Sequence, residues 1–275
     1  MAKHRSAWNC RRYHRLIDEG RGQGTGPNYK PWITIHDFAS KGVCSRVWGR
    51  KAGRIHHFMS KNETAFFYIL DASEKVVDIR EQYPLLPVTE TVEIADMLEI
   101  RHPRDSVSKY PYVMTSDFVI TTTQGYAVRS VKMVSELEKL RVLEKLEIER
   151  MYWRRRNIDW RIVTEEQIDF QRARNLEWIY RSWDYPKMLP EGLRAETVKA
   201  FFQELFETTS LPVNEIARRT ENIFQLDAGM GLTTFQNLLL QRQIQTVDLS
   251  KPLDLVSTRI GAEKGGLSSW IEIYA

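Results

Sequence analysis

Two β-branched runs on either side of a Gln124-Gly125 turn signal, between Met114 and Lys132, constrain the fold of this chain more than any other stretch. They read as the two strands of a hairpin. Folding about that turn sets Asp117 opposite the segment near Val131. The period of two along a strand puts Ser130 and Lys132 on one face. Asp117 is followed by Phe118-Val119-Ile120, the continuous apolar run of a buried central strand. An unpaired carboxylate there would be costly, so a cation or strong donors should lie nearby. A buried lysine needs a partner too. Asp117 and Lys132 are therefore either a structural ion pair or part of a catalytic centre.

Upstream, Ser60-Lys61-Asn62-Glu63 is a capping-box sequence that opens a helix running to about Asp71. A glutamate at the third helical position often does no more than bind the cap. Glu63, however, shares a helical stripe with Phe67 and Leu70, which points it along the core-facing side. Val76 to Arg80 reads as a short strand ended by Pro84, and residues 84–111 as irregular. A long helix spans about Ser135 to Arg156, carrying Leu137, Leu140, Leu143 or Glu144, Leu146 and Met151 with charges between them. Trp160 to Val163 is a strand, and Thr164 to Gln167 looks like the capping box of the next helix.

Helix, strands, long helix and strand make an α/β core with a mixed sheet, ending near residue 170. The expected division is a basic N-terminal arm over 1–30, a catalytic domain over 31–168 and a mainly helical domain over 169–275. The glycine run Gly20 to Gly26 reads as a flexible connector, because no strand precedes it and no Gly-Lys-Ser/Thr follows. In the last domain, helices at 170–183, 193–208, 212–222 and 232–242 and a strand at Ile244 to Val247 fit a winged helix-turn-helix. A plain helical bundle is the rival.

An acid on one strand beside a polar-x-Lys on its neighbour suits metal-dependent phosphodiester cleavage. Mg²⁺ takes hard oxygen ligands and keeps several waters. Glu63, Asp117 and Lys132 are the candidate catalytic residues. The candidate metal ligands are Glu63, Asp117, Ser130 and the Val131 carbonyl, holding one or two Mg²⁺ ions, with Mn²⁺ able to substitute. Lys132 would orient a water or offset charge on the phosphorane. The histidines are too scattered for a zinc site.

Charge placement says more than the net charge of +4. Residues 1–60 are rich in cations interleaved with Trp8, Tyr13, Tyr29 and Trp32, a pattern that suits phosphate contact. Arg50, Lys51, Arg54, His56, His57 and Ser60 are the candidate DNA-contacting residues, the two histidines facing substrate or packing. A second cluster, Arg150 and Arg154 to Arg156, is either a solvated helix end or a further DNA contact. No apolar run of about 18 residues suggests a membrane span. The N-terminus lacks the apolar core of a signal peptide. Two cysteines, Cys10 and Cys44, form neither a disulfide framework nor a zinc site, and a reducing cytoplasm is expected.

Several stretches together resemble a known family: Gly20 to Gly24, Tyr29 to Trp32, Gly53 to His57, Ser60-x-x-Glu63, Val77-Asp-Ile-Arg-Glu-Gln-Tyr-Pro-Leu-Leu-Pro87, Met114 to Phe118, Val131-Lys132 and Leu143 to Trp153. They are similar to the TnsA family, the endonuclease subunits of heteromeric cut-and-paste transposases. The resemblance is specific over residues 20–165 and looser beyond 170. It implies a restriction-endonuclease-like fold, with Glu63, Asp117 and Lys132 at the catalytic positions and Mg²⁺ as the metal. It further implies cleavage of the non-transferred strand at the transposon's 5′ ends, beside a DDE transposase subunit. The C-terminal domain would dock an AAA+ regulator ATPase and DNA, in the bacterial cytoplasm. Ser130 departs from the Glu or Gln usual at that position, and a short hydroxyl is a poorer ligand. Two rival readings stay open: an inactive nuclease fold serving as a DNA-binding scaffold, and a stand-alone restriction or repair nuclease.

Overall fold

The computed structural model describes residues 8–37, 43–244 and 248–256. The chain divides after Ile168 into two compact units. Lys3, Arg5 and Lys41 lie outside the described residues, as do residues 257–275.

The first unit is built on a four-stranded sheet whose strands lie side by side in chain order. Strands β3 (Val76–Pro84), β4 (Thr115–Thr122) and β5 (Gly125–Val131) are antiparallel neighbours, and β6 (Asp159–Val163) runs parallel to β5. A parallel neighbour needs a crossover of a dozen or more residues. Here α4 (Val134–Leu137) and α5 (Leu140–Arg154) make it. One sheet face buries Val119 and Val128 against Ile94 and Ala95 of α3 (Val88–Met97) and Ile148, Tyr152 and Trp153 of α5. Phe118 lies against Phe66 of α2 (Lys61–Ala72) and Phe58 of β2 (Arg54–Phe58). Strand β2 pairs with β1 (Ser45–Gly49) in a separate hairpin.

Several expectations need correction. The segment read as an arm contains α1 (Cys10–Asp18), capped by Asn9, whose side chain accepts from the Arg12 N–H. Its Leu16 is buried in a cluster with Trp8, Trp32, Val88 and Val113. Residues 1–7 of that arm lie outside the described residues. The glycine run is a close-fitting turn rather than a connector. Gly22 has φ +76°, and a Cβ there would lie 2.2 Å from Pro84 Cγ.

Strand β3 continues past Arg80 to Pro84, because a proline is tolerated on an edge strand. Within 84–111, α3 buries Val88, Thr91, Ile94 and Ala95 on one face. The long helix is two helices, and Leu140 and Leu143 are exposed. Its buried face is Leu146, Ile148, Glu149, Tyr152 and Trp153. Thr164 to Gln167 closes a turn, while the next helix starts beyond Asp169, whose carboxylate caps the Arg172 N–H.

The second unit is helical: α6 (Phe170–Tyr180), α7 (Tyr185–Met188), α8 (Ala195–Thr208), α9 (Val213–Phe224) and α10 (Met230–Leu240). Phe202, Val213, Ile216, Phe235 and Leu238 are fully buried. Helices α9 and α10 are joined through Gln225 and Gly229, both with positive φ. They approach so closely that a Cβ on Gly231 would lie 2.2 Å from the Ala217 carbonyl oxygen. No strand occurs among this unit's described residues, and positions 245–247 of the expected wing lie outside them. The helical character is established; the wing is not.

Candidate functional site

Asp117 begins the apolar core of β4, and its carboxylate reaches the end of β5. Oδ2 accepts the Val131 N–H at 2.7 Å and the Lys132 Nζ at 2.7 Å. Oδ1 accepts nothing from the described residues. The Lys132 ammonium also donates to the Val131 carbonyl at 2.8 Å. Burial works to lower the Lys132 pKa, but Asp117, with Glu149 and Glu63 beyond it, holds the group well above its ordinary value.

Glu63 comes from the first turn of α2. Ser60 Oγ accepts the Glu63 N–H at 3.1 Å and donates to Oε1 at 2.8 Å, while Oε2 accepts the Met59 N–H at 3.0 Å. The cap thus forms, and it also fixes the carboxylate. Gln82 Nε2 donates to Oε2 from β3 at 3.3 Å. Burial, then the charge of Asp117, raises the Glu63 pKa to about 7; the Met59 and Ser60 bonds and Lys132 oppose the rise. In the ion-free molecule at pH 8 this charge is a cost. Glu63→Gln is therefore expected to raise stability there by on the order of 1–3 kcal/mol, read as a higher urea midpoint. A midpoint that stays put or falls would contradict the arrangement.

Glu149 is the residue that sequence reasoning missed. Its side chain is buried, and Oε1 accepts Ser116 Oγ at 2.6 Å and Ser130 Oγ at 2.5 Å. Burial and the Asp117 charge raise its pKa. The signal was available: Glu149 lies three residues after Leu146 and four before Trp153, on the apolar stripe of α5. Ser130, expected as a ligand beside Asp117, has its hydroxyl engaged by Glu149.

The candidate DNA-contacting residues separate into two groups. Arg54 and His56 are buried, with both Arg54 Nη atoms and His56 Nδ1 bonded to the Glu81 carboxylate. Neither is available to phosphate, which corrects that expectation. Ser60 is likewise occupied by its cap. His57 is half-buried, and burial lowers its pKa, disfavouring a charged ring. Arg50 is exposed and Lys51 partly so, their backbone N–H groups donating to Asp71. In the second basic cluster, Arg156 bonds both oxygens of Glu90 and Arg150 bonds Glu147. That cluster is largely occupied within the fold.

Three acids stand against one ammonium at the ends of β4 and β5. Among the described residues, no three His, Cys, Asp or Glu side chains form a metal cage by themselves. Mg²⁺ needs none, being bound through one or two carboxylates plus waters and substrate phosphates. Asp117 Oδ2 and the Val131 oxygen already share one cation, the Lys132 ammonium, and Asp117 Oδ1 is open. This donor set fits a hard divalent ion.

A family model described as TnsA-like endonuclease N terminal matches residues 73–165, and one described as TnsA endonuclease C terminal matches residues 167–249. Asp117, Lys132 and Glu149 fall inside the first match, and Glu63 precedes it. The chain is similar to the transposon Tn7 transposition protein TnsA of Escherichia coli, at 40% identity over 184 residues. That alignment covers 66% of this chain and 66% of the relative. Among the described residues no helix is long and apolar enough to cross a membrane.

Proposed function

Because the chain belongs to the TnsA endonuclease family, we propose that it is a Mg²⁺-dependent DNA endonuclease of a cut-and-paste transposase. It cuts the non-transferred strand at the transposon's 5′ ends. The observation that carries this reading is the junction of Glu63, Asp117 and Lys132, two acids and an ammonium from α2, β4 and the end of β5 within one another's field. The first unit is read as a restriction-endonuclease-like core on the strength of that junction and the mixed sheet beneath it.

Glu63 and Asp117 would hold the ion, with the Val131 carbonyl as a third oxygen, and Mn²⁺ could substitute. Bound there, the ion would polarise the scissile phosphate and lower the pKa of an attacking water. Asp117 keeps the Lys132 ammonium charged and oriented, so that it can offset negative charge building on the phosphate oxygens. The Ser60 hydroxyl and the Met59 N–H hold the Glu63 carboxylate in place. Ser130 contributes through Glu149 rather than directly. The reading extends to a DDE transposase subunit as neighbour on the DNA. The α9–α10 pair belongs to a winged helix-turn-helix that docks an AAA+ regulator ATPase, DNA or both.

The test combines the purified chain, its transposase partner, transposon-end DNA and Mg²⁺, with the 5′-end strand labelled. Nicking of that strand only with the partner present is the expected result. Cutting by the chain alone would favour a stand-alone nuclease. Absence of nicking under every combination would favour a scaffold, a reading to which Ser130 lends its one specific observation.

Binding of the same DNA should weaken as salt rises, because phosphate contacts release counterions. Replacing Arg50 and Lys51 with alanine should reduce the slope of log affinity against log salt by about 1 for each cation removed. An affinity indifferent to salt would contradict the assignment.

A further inference from the structure

Gln82 has a left-handed backbone inside a β-strand, with φ +47° and a buried side chain. The other described non-glycine residues with positive φ lie where chains commonly turn. Glu99, Asn157, Gln225 and Arg242 follow helices, and Lys109 closes the turn from Asp105 to Tyr110. A left-handed backbone is unfavourable for a residue with a Cβ and persists only where the surroundings demand it. Glycine would meet the backbone requirement without penalty. The presence of glutamine therefore directs attention to its side chain.

That side chain lies at the candidate site. Glu81 pairs with Phe118 and Tyr83 with Ser116, so Gln82 stands across from Asp117. Its Nε2 donates to Glu63 Oε2 at 3.3 Å, and its Oε1 accepts Thr115 Oγ1 at 3.3 Å. A carboxylate can only accept and a hydroxyl can donate, so these two partners fix which end of the amide faces Glu63. Its carbonyl accepts the Trp32 N–H at 3.1 Å, which anchors the kink from the other side. In a regular strand, residues 81 and 82 would point to opposite faces. Here Glu81 is buried on Arg54 and His56, and Gln82 on Glu63.

We propose that Gln82 is a positioning residue for the candidate metal site. Its strained backbone aims a fixed amide N–H at Glu63 and holds that carboxylate in the orientation that receives a divalent ion. This rests on the metal-site reading given above and deepens it.

The experiment measures Mn²⁺ uptake by the full chain, from the electron paramagnetic resonance signal of free Mn²⁺, beside thermal melting. It compares wild type, Gln82→Gly and Gln82→Asn. Glycine relieves the backbone. Asparagine tolerates the left-handed region and keeps an amide, but one methylene too short to reach Glu63. Both variants should melt within a few degrees of wild type and bind Mn²⁺ about 10–100-fold more weakly. Variants that bind as tightly as wild type would overturn the positioning role and leave the metal site standing. Binding lost only in step with a collapsed melting temperature would make Gln82 structural and overturn it too. Wild type that takes up no Mn²⁺ would overturn the site reading and this inference together.

Discussion

Asp117→Asn should reduce strand cutting by about 10²–10³-fold or more while leaving the protein folded. The carboxamide oxygen can still accept the Val131 N–H, so the β4–β5 junction survives. Lys132 keeps the Val131 carbonyl and lies within the field of Glu149 and Glu63. Its side chain is also 26% exposed, so water shares the cost of the missing counter-charge. Removing the Asp117 charge relieves Glu63 and Glu149, both of which it pushes upward. Stability effects therefore largely offset, and the loss of activity isolates the chemistry. Nicking assays with matched melting curves check this. A variant that cuts at the wild-type rate would remove Asp117 from the reaction.

Glu81→Gln is expected to have the largest effect on stability. Glu81 is fully buried and receives both Arg54 Nη atoms, His56 Nδ1 and the His57 N–H. Arg54 further donates to the carbonyls of Ile79 and Gly26 and lies 4.9 Å from the Tyr29 ring centre. The cluster thus ties β2 and β3 to the loop before Tyr29. Removing the negative charge leaves the Arg54 guanidinium buried without its partner, a change that costs about 3–5 kcal/mol.

Burial alone would raise the Glu81 pKa, but Arg54 and His56 overcome it and bring the group to about 2. The folded value lies below the unfolded one, so this contribution is present above about pH 4.5 and is lost as the pH falls toward 2. Urea midpoints across that range should decline steeply for wild type and more gently for Glu81→Gln. Parallel declines would show that Glu81 is not the controlling group.

The hairpin was legible because period-two patterning and a turn signal fix register together. That was enough to bring Asp117 to Val131 and Lys132, 14 and 15 residues away. The Ser60 cap was legible for the same reason: it is local. The Arg54–Glu81–His56 cluster was not. A cation count reads the same whether the side chain faces phosphate or a carboxylate 27 residues along the chain. Helix α3 was obscured by Pro84 and Pro87, which mark a break without showing that a helix follows immediately. Glu149 was lost because Leu140 and Leu143 suggested a buried stripe that the fold leaves exposed. The kink at Gln82 has no local signal, since the partners of that residue come from three separate segments.

The most direct measurement is anomalous diffraction from crystals of the chain grown with Mn²⁺. The account predicts a peak within bonding distance of the Glu63 and Asp117 carboxylates and the Val131 carbonyl, with Lys132 Nζ beside it. Crystals with ordered Mn²⁺ elsewhere and none at these three oxygens would contradict it.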